Sequence, residues 1–309
     1  MRAIAGRAVI GNFDHSSVPN FMGWSYILIT ASRKLIGALT VLEMMHHVRR
    51  PGAGPIVLFV PGLGMTSQSF AHTTAGLGPG YDVVTVDLRG HGSSPTPPPG
   101  WTLDDAAADL AQVIDRLDLH DVTLVGWSLG ATVTYNYLER YGTDRVSRLV
   151  SVEMSPYLLR EEGWEHAAFG GLDAFGALHA TQQQWADPDR YLTALVENCF
   201  ADGADPEPGL TQLLLADSLK TSRLALLALW SGVLTQDWRE RIGALTLPTL
   251  LVHGAKSRIF PTEVGKWLLG ALPDARLEIF SESGHALFLE EPGRFVRVLR
   301  DFVDGTAGA

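Results

Sequence analysis

The sequence predicts an α/β protein: a mostly parallel central sheet flanked by helices, interrupted by a helical insertion. Three observations predict it. From residue 56 onward, short β-branched runs alternate with longer helical patterns, as they do when crossover helices link parallel strands. One strand-to-helix junction reads Gly126-Trp127-Ser128-Leu129-Gly130, with glycine two residues either side of a serine. Between Ser155 and Leu245 the alternation stops, and the chain becomes helical and aromatic.

The first fifty residues are the least patterned. Residues 25–30 suit a strand, and residues 35–48 suit either a strand or an amphipathic helix, because their apolar positions match neither period. An antiparallel edge hairpin is expected for part of this segment. Ile56–Val60 reads as a buried strand, followed by Pro61-Gly62-Leu63-Gly64. Asp82–Val86 is the next strand, followed by Asp87-Leu88-Arg89-Gly90-His91-Gly92. Thr102 and Asp105 have capping-box spacing at the head of a helix whose apolar positions run to Leu117. Residues 122–125 form the strand before the glycine-flanked serine, and 131–141 the helix after it. Further strands are expected at Val146–Val152, 249–252 and 276–280, with a closing helix at 295–303. The expected division is a core of residues 1–155 and 236–309, with a helical cap at 156–235.

Composition excludes more than it specifies. With 46% apolar and 19% charged residues, the chain of 309 can bury a large core and is not of the disordered class. Its net charge of −10 is spread along the sequence, which disfavours nucleic acid or an anionic membrane as partner. The single cysteine, Cys199, excludes an internal disulfide and suits a reducing compartment. Residues 24–31 are too short an apolar run to span a bilayer, and Arg7 interrupts the apolar stretch 3–10. A cytoplasmic enzyme acting on a small molecule is expected, with monomer and homodimer both open. The glycine-rich pieces form no phosphate-binding loop, and no His/Cys cluster has ligand spacing, so neither cofactor nor metal is expected.

The chemistry centres on Ser128. A serine held between strand and helix by flanking glycines projects its hydroxyl above the sheet, as a hydrolase nucleophile does. A free hydroxyl is a poor nucleophile and needs a base in reach. His285 is the candidate: it follows the last strand, comes last in chain order and is preceded by Ser283-Gly284.

Taken together, these pieces resemble the α/β-hydrolase superfamily over about residues 55–303. Pro61-Gly62, the 87–94 loop, the 126–130 turn and Ser283-Gly284-His285 stand in family order. Within the superfamily the chain looks like the small esterases, lactonases and perhydrolases. The resemblance implies oxyanion donors at the backbone amides of Leu63 and Leu129, and structural roles for His91 and His253. It also exposes a departure. Most relatives carry an aspartate in the loop after strand 249–252, where this chain reads Gly254-Ala255-Lys256-Ser257, with Ser257 at the expected place. Glu153, at the end of strand Val146–Val152, is the expected acid, because some superfamily members place it there. Asp87, Glu282 and a triad lacking a carboxylate remain alternatives.

The expected activity is cleavage of an ester or lactone of a medium-sized hydrophobic molecule through an acyl-Ser128 intermediate. Trp127, Trp164, Trp185 and Trp230 are the candidate substrate-binding residues. Two other readings differ in class: cofactor-free C–C bond hydrolysis or oxygenation with His285 as base, and a non-catalytic ligand-binding protein.

Overall fold

The computed structural model describes residues 43–204 and 209–305. The expectations for residues 25–30 and 35–42, and the centre of the acidic, proline-containing turn between Ala201 and Gly209, lie outside them. The strands are β1 (His47–Arg50), β2 (Ile56–Val60), β3 (Asp82–Val86), β4 (Val122–Trp127), β5 (Val146–Val152), β6 (Thr249–Gly254) and β7 (Ala275–Phe280). They form one seven-stranded sheet in the order β1-β3-β2-β4-β5-β6-β7. β1 pairs antiparallel to β3, and every other pair is parallel. Of the antiparallel edge hairpin expected within the first fifty residues, the described residues hold a single antiparallel edge strand, His47–Arg50, which pairs with β3 rather than with a hairpin partner.

The inner strands read as continuous apolar runs because both faces of the sheet are covered. Along β2, Val57 and Phe59 enter one core while Leu58 and Val60 enter the other, the period of two that a pleated strand imposes. The helices are α1 (Ala71–Leu77), α2 (Leu103–Arg116), α3 (Leu129–Tyr141), α4 (Ala174–Ala186), α5 (Pro188–Asn198), α6 (Leu210–Ser218), α7 (Arg223–Thr235), α8 (Thr262–Ala271), α9 (Leu287–Glu290) and α10 (Pro292–Val303). At the head of α2, Thr102 Oγ1 accepts from the Asp105 amide and the Asp105 carboxylate accepts from the Thr102 amide at 2.8 Å. That reciprocal cap satisfies two backbone donors that the helix itself leaves orphaned. In α10 the buried residues Phe295, Val296, Leu299, Phe302 and Val303 fall on one stripe, which packs against α1 and α9.

Helices α4 to α7 all lie between β5 and β6. α7 packs back onto α2 and α3, α4 packs on α5 and α7, and α6 packs on α5. A parallel sheet places its strand ends and following loops on one side. The loops after β2, β4, β5, β6 and β7 therefore converge there, beside this helical stretch.

Candidate active site

Ser128 occupies the junction between β4 and α3 with φ 53° and ψ −125°, a backbone geometry that side chains rarely adopt. Its amide donates to Val152 O at 2.8 Å, tying the turn to the end of β5. The flanking glycines are steric requirements. A β-carbon on Gly126 would lie 2.5 Å from Ala131 Cα, and one on Gly130 would lie 2.2 Å from Val60 O. Both collisions are with backbone, which cannot swing aside.

Glu153 follows β5 directly and is fully buried. Its amide donates to Val252 O at 2.9 Å, so the chain is still paired to β6 where the carboxylate turns inward. Each carboxylate oxygen is occupied. Oε1 accepts from the Gly254 amide at 2.7 Å, and Oε2 accepts from Ser257 Oγ at 2.8 Å. His285 Nδ1 lies 3.0 Å from Oε2; a carboxylate only accepts, so Nδ1 carries the proton and Nε2 is free to act as base. His253 Nδ1 stands 3.4 Å from Oε1. Burial on its own would push the Glu153 pKa up, but the His253 and His285 imidazoles outweigh it and hold the pKa at about 2. The structure thus brings Glu153 to His285 and places Ser257, where the resemblance leads one to expect an aspartate, as a donor to the same carboxylate.

The two alternative acids lie elsewhere. Asp87 is buried, but its oxygens accept from the Ser67 and Ser93 amides at 2.8 and 2.9 Å. Glu282 is mostly exposed and pairs with Lys256.

The His285 loop is held from three directions. Trp127 Nε1 donates to His285 O at 3.0 Å, the Gly284 amide donates to Glu290 Oε2 at 2.7 Å, and the Ala286 amide donates to Cys199 O at 2.7 Å. The imidazole lies between the Trp127 ring at 5.4 Å and the Phe260 ring at 5.7 Å. On the opposite side, His91 steadies the loop after β2. Its Nε2 accepts from the Gly64 amide at 3.1 Å and its Nδ1 donates to Arg89 O at 3.0 Å. That pairing requires a neutral ring, and burial lowers the His91 pKa to about 4. Sequence reading assigned His91 only a general structural role; its partner Gly64 is visible in the fold alone.

Ser128, Leu63 and Leu129 open onto an apolar cavity whose other walls include Met154, Trp230 and Phe260. Among the described residues, neither the Leu63 nor the Leu129 amide has a backbone acceptor, leaving both donors available. Of the four tryptophans expected to bind substrate, Trp230 lines this cavity, its Nε1 donating to Thr181 Oγ1 at 3.0 Å. The other three do not. Trp127 points into the core against Phe70 and Phe288, because successive side chains of a strand alternate faces and Ser128 takes the opposite direction. Trp164 donates to Tyr157 O and packs edge-on against Trp267. Trp185 is 59% exposed, with the Arg223 guanidinium over its ring. Phe169 and Tyr191 line the cavity instead, and sequence reading missed both because helix periodicity does not say which face meets a cavity rather than core.

Residues 55–292 match the family model described as alpha/beta hydrolase fold. The chain is 33% identical over 259 residues to a pimeloyl-[acyl-carrier protein] methyl ester esterase of Chromobacterium violaceum, covering 83% of this chain and 97% of that one. Among solved structures it is similar to an esterase of Exiguobacterium antarcticum, with TM-score 0.78 and 27% identity over 84% of this chain and 95% of that one. A bromoperoxidase of Bacillus anthracis matches with TM-score 0.77 and 26% identity over 84% of this chain and 94% of that one. The chain belongs to the alpha/beta-hydrolase fold family. At the level of reaction class, its likeness within that family is to hydrolases acting on ester bonds. Among the described residues, no helix is long and apolar enough to cross a membrane.

Proposed function

We propose that this chain cleaves a carboxylic ester of a medium-sized apolar molecule through an acyl-Ser128 intermediate. The observation that carries the reading is the buried, ionised Glu153 carboxylate 3.0 Å from His285 Nδ1, at the sheet end where Ser128 faces an apolar cavity. In this reading Ser128 Oγ attacks the ester carbonyl and passes its proton to His285 Nε2. The amides of Leu63 and Leu129 take the negative charge that develops on the carbonyl oxygen. His285 returns the proton to the departing alkoxide, then activates a water that frees Ser128 from its acyl group. Glu153 fixes the tautomer and balances the transient imidazolium. Residues 156–235 act as a cap whose apolar walls select the substrate.

The relatives support an ester, since the Chromobacterium violaceum enzyme is named for a methyl ester and the Exiguobacterium antarcticum protein is an esterase; the apolar substrate rests on the lining of the Ser128 cavity. Likeness to a bromoperoxidase favours a second use of the same acyl-serine, in which hydrogen peroxide replaces water and the acyl group leaves as a peracid. The test is mass spectrometry after fluorophosphonate treatment, with Ser128 expected as the labelled serine. Ser128→Ala should lower turnover of p-nitrophenyl esters by roughly 10⁴-fold or more, as loss of a triad nucleophile does elsewhere. Retention of a tenth of the parent rate would instead favour base-driven chemistry at His285.

A further inference from the structure

Beside the Ser128 cavity lies a second hollow of about 450 Å³, lined by polar groups that include Gln183, Asp187, Arg190 and Asn198. The two share three wall residues, Phe169, Tyr191 and Leu195. Tyr191 and Leu195 are ordinary residues of helix α5. Phe169 is not ordinary. Its backbone is left-handed, with φ 53° and ψ 35°, and it is followed by Gly170 at φ 72° and Gly171 at φ 136°. A bulky aromatic in that conformation carries strain of order 1 kcal/mol or more that glycine would not. The strain is imposed by tertiary contact: the Phe169 amide donates to Ile259 O at 2.7 Å, and the preceding Ala168 amide donates to Leu158 O at 2.9 Å. Phe169 is 40% exposed, so it is not held there as a member of the buried core. It stands instead between an apolar and a polar hollow.

We propose that the Phe169 ring is the stop that sets how long a straight substrate chain the Ser128 cavity accepts. It closes the apolar hollow against the polar one, so a chain that reaches the ring ends there. Only for its substrate class does this rest on the ester-hydrolase reading. Phe169→Gly removes the ring and the backbone strain together. The variant should fold with unchanged or higher thermal stability, and its optimum should move to longer chains. For p-nitrophenyl acyl esters or alkyl acetates of two to ten carbons, kcat/KM for the longest members should rise roughly tenfold or more relative to butyrate or butyl acetate. Trp185→Ala, which touches neither hollow, should leave both series unchanged. Binding separates this proposal from the reaction it serves. Methyl ketones of four to ten carbons, titrated calorimetrically into Ser128→Ala and Ser128→Ala/Phe169→Gly, report chain length without turnover. Longer ketones should gain affinity only in the double variant, and Phe169→Leu is the substitute if glycine prevents folding. Superimposable chain-length profiles with and without the ring would overturn the proposal, even for an active esterase. Absent ester turnover with a shifted ketone profile would overturn the reaction and leave the stop standing.

Discussion

Glu153 is defined by what surrounds it: the Gly254 amide, Ser257 Oγ and the His253 and His285 imidazoles converge on one fully buried carboxylate. An ionised group buried so deeply is tolerable only when each oxygen is met by a donor, and here the Gly254 amide, Ser257 Oγ and His285 Nδ1 meet them. Glu153→Gln keeps the shape but places an amide against His285. It should lower kcat at least roughly a hundredfold with the fold intact, measured by steady-state kinetics beside circular dichroism. Ser257→Ala removes one charge-assisted hydrogen bond of about 1.5–3 kcal/mol, so a loss in kcat of at most roughly ten- to a hundredfold is expected. Because Ser257 Oγ lies 2.8 Å from the oxygen that His285 faces, Glu153→Gln with Ser257→Asp should recover part of the lost rate. A fully active Glu153→Gln enzyme would remove Glu153 from the reaction.

At the scale of elements, the proposed function divides the work: the β4–α3 junction would present Ser128, and the helices of 156–235 would shape what reaches it. The junction tolerates no β-carbon two residues after Ser128, since Gly130 would collide with Val60 O. Gly130→Ala should therefore cost several kcal/mol, on the order of 3 or more, read as a lowered urea midpoint. The insertion behaves differently, because its tryptophans face three environments. Trp230→Ala should raise KM for apolar esters severalfold with a smaller change in kcat, while Trp185→Ala should leave both within about twofold. Equal effects of the two would mean that the Trp230 wall does not contact substrate. The capping box on α2 offers a control remote from chemistry: Thr102→Ala should cost about 1 kcal/mol of stability and leave kcat unchanged.

For the molecule as a whole, two buried groups couple stability to pH in separate windows. His91 is held neutral, with its pKa lowered from 6.5 to about 4. Its contribution is complete above pH 6.5 and is lost as pH falls toward 4, because the unfolded chain binds the proton first. Glu153 is held ionised, its pKa lowered from 4.5 to about 2. Its contribution is complete above pH 4.5 and is lost between there and pH 2. Each shift corresponds to about 3 kcal/mol at full effect. Urea midpoints should accordingly fall below pH 6.5 and fall further below pH 4.5. His91→Gln retains one donor and one acceptor for Arg89 O and the Gly64 amide, so it should flatten the upper window alone. An unchanged slope between pH 6.5 and 4 would assign that window to another group.

Local chemistry made much of the fold legible. Strands Ile56–Val60, Asp82–Val86 and Val146–Val152 stand at the bounds expected from their β-branched runs, because a strand covered on both faces needs no partner to declare itself. Ser128 announced itself for the same reason: the glycines around it answer a steric demand only two residues away. Residues brought together across the sheet were another matter. Glu153 was the expected acid, but Ser257, 104 positions away, donating to it is a tertiary fact, and so is the His91 bond to Gly64, 27 positions away. The tryptophans show the limit most plainly. Composition placed Trp164, Trp185 and Trp230 in one helical stretch, yet only packing decided that Trp230 faces the cavity, Trp164 the core and Trp185 the solvent. The sequence by itself determined which elements form and where the chain turns at Ser128; only the tertiary structure decided which side chains share a carboxylate and which rings wall the cavity. Backbone sterics and periodicity act over a few residues, whereas a site is assembled by strand ends that meet only once the sheet has formed.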